Sequence, residues 1–223
     1  MTIEFVPVET PEDRAALAAL ASEIWHEYWP ALIGEAQTDY MVEQFQSLEA
    51  IERDLAEHAY EYWFLRAEDD GRIVGYTGGR AEPETNRYFI SKVYLQAEER
   101  GKGFASQAIA FYERLCHERG LEAMYLTVNK HNDLGIRAYL GKGFETIDAV
   151  ETDIGNGFKS PTVLAEPSAT RVLIYAAVES LLASATVSQP SGTSASLWHC
   201  VQYITEARCA LWHSLHSISP CCG

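Results

Sequence analysis

No stretch of the 223-residue chain approaches the ~18–20 consecutive apolar residues that a helix needs to cross a bilayer, so no helical membrane span is expected. The opening Met1-Thr2-Ile3-Glu4-Phe5 has neither the basic start nor the apolar run of a secretory signal. Cysteine is scarce and odd in number, at five, which offers no disulfide framework and points to a reducing, cytoplasmic setting. His199, Cys200, Cys209, His213, His216, Cys221 and Cys222 are metal-ligating residue types without the paired C-x-x-C spacing of a zinc site, so no metal is expected. Positive charge is the other shortage. Lys and Arg number 17 against 32 Asp and Glu, for a net charge of −15. Nucleic-acid binding needs clustered cations and is excluded on that ground. An acidic surface does suit a cationic substrate, because it concentrates ammonium groups by steering.

The charge is unevenly spread. Residues 159–223 contain no Asp, and their three basic side chains (Lys159, Arg171, Arg208) match three acidic ones (Glu166, Glu179, Glu206). They also hold 11 of the 15 serines and four of the five cysteines. This change of composition suggests two parts, a domain over 1–158 and an atypical, poorly ordered tail over 159–223. Ser184 to Ser196 reads as a linker, and Val172-Leu173-Ile174-Tyr175 is the tail's most β-prone run.

Within 1–158, elements alternate. Ile3 to Val8 has the period of a first strand. Thr10-Pro11-Glu12-Asp13 opens a helix that runs to about Trp29, where Pro30 interrupts it. Helical stretches follow at about Asp39 to Gln46 and from Ser47 or Leu48 to about His58. Two strand-like runs, Tyr62 to Ala67 and Arg72 to Gly79, flank Asp69-Asp70-Gly71, a hairpin signal. Then come a strand from Arg87 to Leu95, a helix to Arg119, a strand from Glu122 to Val128, a helix from Asn132 to Lys142 and a strand from Phe144 to Asp153.

Two segments carry chemistry. Glu98-Glu99-Arg100-Gly101-Lys102-Gly103-Phe104-Ala105 lies between a strand and a helix whose apolar stripe is Ala105, Ala108, Ile109, Tyr112, Leu115 and Cys116. A glycine-rich strand-to-helix turn aims several backbone N–H groups and the positive end of a helix dipole at one place, which suits a phosphate or pyrophosphate. Asn132-Asp133-Leu134-Gly135-Ile136-Arg137-Ala138-Tyr139 follows, then Gly141-Lys142-Gly143-Phe144. Asn132 and Tyr139 are seven residues apart and share one helical face.

Together these segments resemble the acyl-CoA site of the Gcn5-related N-acetyltransferase family, over Ile3 to Phe158. Glu23 to Tyr28 and Asp39 to Ser47 look like a bacterial subgroup related to polyamine acetyltransferases. The resemblance implies an α+β fold with a mixed central sheet flanked by helices. It also implies acetyl-CoA as co-substrate, a small primary amine as acceptor, and a monomer or homodimer. A peptide N-terminus as acceptor, or a non-catalytic acyl-CoA-binding module, are the alternatives. By the same resemblance, the N–H groups of Arg100, Gly101, Lys102, Gly103, Phe104, Ala105 and Ser106 hold the pyrophosphate. The free backbone groups of Val93, Tyr94 and Leu95 pair with the pantetheine arm, and one of those N–H groups can serve as oxyanion donor. Asn132 bonds the arm, with helix capping an equally good use of an Asn there, and Lys142 adds a further cofactor contact. Tyr139 is the candidate general acid, since a phenol near pKa 10 can protonate the leaving thiolate. Glu82, with Glu84 beside it, is the candidate general base.

Three departures carry expectations. The family's turn begins with Gln or Arg where this chain has Glu98, so Glu98 is expected to face solvent while Arg100 and Lys102 supply positive charge. The family returns from a Gly-Asn-Gly turn with a last strand, whereas Lys159-Ser160-Pro161 follows here. That strand is expected to be missing, leaving the strand before it with a bare edge. The tail is then a non-homologous end, with Val172 to Tyr175 available to dock as a substitute.

Overall fold

A computed structural model describes residues 1–168. Strand β1 (Ile3–Pro7) leads to helix α1 (Pro11–Tyr28), which starts on a capping box: Thr10 Oγ1 accepts from Asp13 N–H at 3.1 Å, and Asp13 accepts from Thr10 N–H at 3.0 Å. Pro30 ends α1 by opening the one-turn helix α2 (Pro30–Ile33). Helices α3 (Glu35–Phe45) and α4 (Leu48–Glu57) follow, the latter capped by Ser47. Then come the hairpin strands β2 (Glu61–Ala67) and β3 (Ile73–Glu82), and β4 (Arg87–Leu95). The rest is a 3₁₀ turn at Ala97–Glu99, α5 (Phe104–Glu118), β5 (Ala123–Asn129), α6 (Asp133–Leu140), β6 (Phe144–Gly155) and β7 (Phe158–Pro167).

The strands form one mixed sheet in the order β1-β2-β3-β4-β5-β7-β6. On one face α5 buries Ile109, Tyr112 and Cys116 against Tyr88, Ile90, Met124, Leu126 and Val128. Leu17, Ala21 and Ile24 of α1 and Ile51 of α4 pack with Tyr62, Phe64 and Tyr76 in a second core. Burial of this apolar surface is what holds the layers together.

Two irregularities position the site. The first is a bulge. Gly78 stands opposite Lys92 and Gly79 opposite Ile90, which leaves Ser91 as an extra residue in β4. A Cβ on Gly79 would lie 2.2 Å from the Phe89 carbonyl oxygen, so only glycine permits this approach. The bulge inverts which face each residue takes. Tyr88 and Ile90 pack in the α5 core, whereas Tyr94 packs in the α1 core. Lys92, next to the bulge, is pinned twice: its carbonyl accepts from Thr77 Oγ1 at 2.6 Å, and its buried ammonium donates to Tyr62 Oη at 2.7 Å and Asp54 at 3.2 Å. Desolvation lowers the Lys92 pKa, and the Asp54 carboxylate opposes that fall.

The second irregularity is a split. β4 pairs in parallel with β5 only from Arg87 to Ile90, against Ala123 to Leu126. Beyond it, β5 from Leu126 to Asn129 pairs with β7 instead. Among the described residues, the last five of β4, Ser91 to Leu95, therefore have no strand partner on their β5 side.

One expectation fails here. The last strand is present: β7 pairs antiparallel with β5 on one side and with β6 on the other. The domain thus extends past residue 158, to Pro167 at least. Gly155, Asn156 and Gly157 all take positive φ (94°, 52° and 79°) and reverse the chain. Pro161, which made the run look unlike a strand, sits where a proline costs little. Its carbonyl accepts from Lys130 N–H at 2.9 Å, so its missing donor points to the same side, where the β5 ladder has already ended at Asn129–Thr162. At the sheet edge β6 exposes Glu145, Asp148, Glu151 and Asp153, charges that discourage further pairing. The linker, the Val172 to Tyr175 run and the His/Cys set of the tail lie outside the described residues.

Candidate active site

The split between β4 and β5 opens into a cavity of about 360 Å³. Its walls come from α1, the end of β4, the glycine turn with the start of α5, and α6. Val93, Tyr94, Leu95, Arg100, Gly101, Gly103, Phe104, Ala105, Ser106, Asn132, Tyr139 and Lys142 all line it. Residues named from two segments some thirty positions apart are thereby gathered around one cleft.

The glycine turn is built as an anion cradle. Gly101 and Gly103 both take left-handed φ, 77° and 87°, and Gly103 is the N-cap of α5 with no side-chain cap. Among the described residues, the N–H groups of Gly101, Lys102, Gly103, Phe104 and Ala105 donate to no protein acceptor. A Cβ built on either glycine meets no atom of the described residues within 4 Å, so they leave that side of the turn bare. Unpaired donors at a helix start, with the dipole behind them, suit a diphosphate.

The cations of the turn are placed differently from expectation. Lys102 does not line the cleft; its ammonium is held at 3.1 Å by Glu99, a buried carboxylate that also takes Arg72 Nε at 3.1 Å. The hydrogen bond from Arg72 is the chief reason that the Glu99 pKa is lowered. Arg100 does line the cleft, yet its guanidinium is bonded by Glu27 of α1, donates to the Leu95 carbonyl at 3.2 Å and lies 4.7 Å from the Tyr28 ring centre. Both cations thus carry carboxylate partners. Glu98 is exposed, as its charge required.

Asn132 caps α6, its Oδ1 accepting from Gly135 N–H at 2.9 Å, and the same oxygen accepts from Tyr28 Oη at 2.8 Å. Tyr139 faces the cleft with its ring centre 5.9 Å from that of Phe144. Burial pushes its pKa up to about 12, so it remains a phenol, and a proton donor, across the neutral range.

Glu82 is not brought to the cleft. β3 runs antiparallel to β4, so Glu82 pairs with Arg87 at the start of β4, about 26 Å of strand from Leu95 and the turn. Its carboxylate accepts from Arg80 at 3.0 Å and from Tyr125 Oη at 2.9 Å. No Asp, Glu or His lines the cleft among the described residues.

The α1 wall, Ile24, Tyr28 and Trp29, carried only a weak signal. Tyr28 meets Asn132 across 104 positions, and no local pattern announces that contact. Trp25 itself is packing, stacked at 5.0 Å on Trp29 and 5.5 Å from Tyr94.

Comparison with known proteins places this geometry. The acetyltransferase (GNAT) family profile matches residues 21–144. An uncharacterized N-acetyltransferase, YycN of Bacillus subtilis (strain 168), is 28% identical over 152 residues, which are 67% of this chain and 97% of that protein. The crystal structure of the PaiA N-acetyltransferase from Thermoplasma acidophilum in complex with coenzyme A superposes with a TM-score of 0.60 at 20% identity, covering 75% of this chain and all of that one. A spermidine N-acetyltransferase SpeG chimera of the Vibrio cholerae and hSSAT proteins gives 0.55 at 15% identity, over 78% and 99% of the two chains. Likeness at such identities speaks for the fold.

Proposed function

We propose, since the chain belongs to the acetyltransferase (GNAT) family and is an acetyl-CoA-dependent acetyltransferase, that its acceptor is the primary amine of a small molecule, with a polyamine as the favoured case. The observation that carries this reading is the cleft at the β4–β5 split, which runs from unpaired N–H donors at the glycine turn to the Tyr139 phenol. Two features support a cationic acceptor: the acidic surface implied by a net charge of −15, and a fold shared with a spermidine acetyltransferase. The presence of β7 removes the reason for reading the chain as a binding module with an incomplete sheet.

The thioester supplies the acyl group and a thiolate leaving group. The turn 101–105 holds the diphosphate through backbone N–H groups, and Asn132 donates to the arm. An N–H in the unpaired part of β4, Val93 to Leu95, meets the carbonyl oxygen as it gains charge during attack by the amine. The C–N bond forms, the C–S bond breaks, and Tyr139 gives its proton to the sulfur, regaining one from the nitrogen that has become an amide. Among the described residues no carboxylate or histidine lines the cleft, so the acceptor ammonium gives its first proton to water, and one proton is released per turnover.

Incubation of the full chain with acetyl-CoA and putrescine, spermidine, spermine, lysine or a peptide with a free N-terminus, read by thiol release and mass spectrometry, tests this. Mono-acetylated polyamine is expected. Acetylation of the peptide alone would overturn the small-amine reading.

A further inference from the structure

We infer that Tyr28 is a positioning residue for the cofactor: its hydroxyl orients the Asn132 amide so that the N–H pair serves the cleft, while its ring seats the Arg100 guanidinium beside the glycine turn. This rests on the acetyl-CoA reading of the same cleft.

The Asn132 amide is oriented by its neighbours. One atom accepts from both Tyr28 Oη (2.8 Å) and Gly135 N–H (2.9 Å), and only the oxygen can do that. The other atom is therefore the NH₂, a donor with two hydrogens on a residue that lines the cleft. Donors of this kind suit neutral carbonyl oxygens, which the amide groups of a pantetheine arm carry. Gly135 makes room for the arrangement, because a Cβ there would lie 2.7 Å from Asn132 Nδ2 and 3.0 Å from its Cγ. Without the phenol, the cap bond to Gly135 alone holds the amide.

The same side chain also reaches the glycine turn. Arg100 lies over the Tyr28 ring at 4.7 Å, and Glu27, one residue earlier on α1, bonds that guanidinium. Tyr28 also makes an edge contact with Trp29, ring centres 5.5 Å apart, which fixes its own place. One residue of α1 thus touches the group that serves the nucleotide end of the ligand and the group that serves its arm.

Those two duties separate in a binding experiment. Calorimetry would compare coenzyme A with 3′-phospho-ADP, the nucleotide half without the arm, on parent, Tyr28→Phe and Tyr28→Ala full-length proteins. Tyr28→Phe keeps the ring and is expected to weaken coenzyme A by about three- to tenfold, the range of one hydrogen bond, while leaving 3′-phospho-ADP unchanged. Tyr28→Ala removes both contacts and is expected to weaken both ligands. In turnover, Tyr28→Phe should raise KM for acetyl-CoA with kcat retained. Equal losses for both ligands in Tyr28→Phe would mark a merely structural tyrosine and overturn the inference. Tighter coenzyme A binding would overturn it too, since the Tyr28–Asn132 contact would then be one the ligand has to break. A parent protein that binds neither ligand would instead bring down the acetyl-CoA reading itself.

Discussion

The two walls of the cleft are made in different ways. The wall formed by β4, the glycine turn and α6 comes from short segments, with backbone groups on β4 and the turn and the side chains of Asn132 and Tyr139 at α6. The wall formed by α1 is all side chain, Ile24, Tyr28 and Trp29, brought there by tertiary packing from the other end of the domain. Their ion pairs differ as well. Lys102 is tied to Glu99, a buried carboxylate that also anchors Arg72 of the β2–β3 hairpin. Arg100 is tied across the cleft to Glu27, whose side chain is 46% exposed. A buried pair fixes a turn, and a pair at the water's edge can exchange partners. The N–H groups of β4 and the turn bind in a way that side chains cannot tune, whereas the α1 wall acts through side chains alone.

The sharpest way to break the backbone wall is Gly103→Val. A β-branched residue at φ 87° is strained, and its Cβ would stand on the bare side of the turn where the diphosphate belongs. Loss of measurable coenzyme A binding by calorimetry is expected, and unchanged affinity would remove the turn from the site. Next in size is Tyr139→Phe, expected to lower kcat by roughly ten- to a thousandfold with cofactor affinity kept, the span of general-acid loss. Equal kcat would return Tyr139 to packing against Phe144.

A third effect concerns pH. With no carboxylate or histidine among the described residues that line the cleft, activity under subsaturating amine should climb about tenfold per pH unit until the acceptor itself is deprotonated. Tyr139, held up to about 12 by burial, stays protonated through that climb, so no descending limb from it is expected below about pH 11. A plateau beginning near pH 6 to 7 would reveal a base beyond the described residues of the cleft. The smallest effect contrasts the two ion pairs. Glu27→Gln removes a competing negative charge while Arg100 keeps its seat on the Tyr28 ring, so coenzyme A should bind about two- to fivefold tighter with Tm unmoved. Glu99→Gln leaves Arg72 without its buried partner and should lower Tm by about 5 °C. Calorimetry and melting curves on the pair decide whether the two carboxylates differ as described.

What was legible in the sequence follows the same division. The turn 98–106 and the helix 132–139 are local, so spacing and residue type announced them; the mixed sheet was what the family resemblance implied. Glu82 misled because strand ends look alike in sequence, and only the antiparallel run of β3 shows which end of β4 it meets. The bulge at Ser91 has no local mark beyond Gly78-Gly79 on the neighbouring strand. The last strand was missed because Pro161 and the serine-rich composition after Phe158 outweighed the alternation of Phe158, Ser160, Thr162 and Leu164. Register decided otherwise, since a proline at the end of one ladder loses nothing.

The position of β7 has a bearing on how the chain folds as it is made. It is the last of the described strands to be synthesised, yet it sits inside the sheet, between β5 and β6. Until residues 158–167 have emerged, β5 presents an unpaired edge beside the apolar residues Met124, Leu126 and Val128. The ten paired positions of the β6–β7 ladder form locally across the Gly155-Asn156-Gly157 reversal, so that hairpin can assemble first and enter as a unit. The interval between the birth of β5 and the arrival of β7 is then the nascent chain's exposed moment. A slow stretch of translation there would lengthen its opportunity to pair with the wrong neighbour.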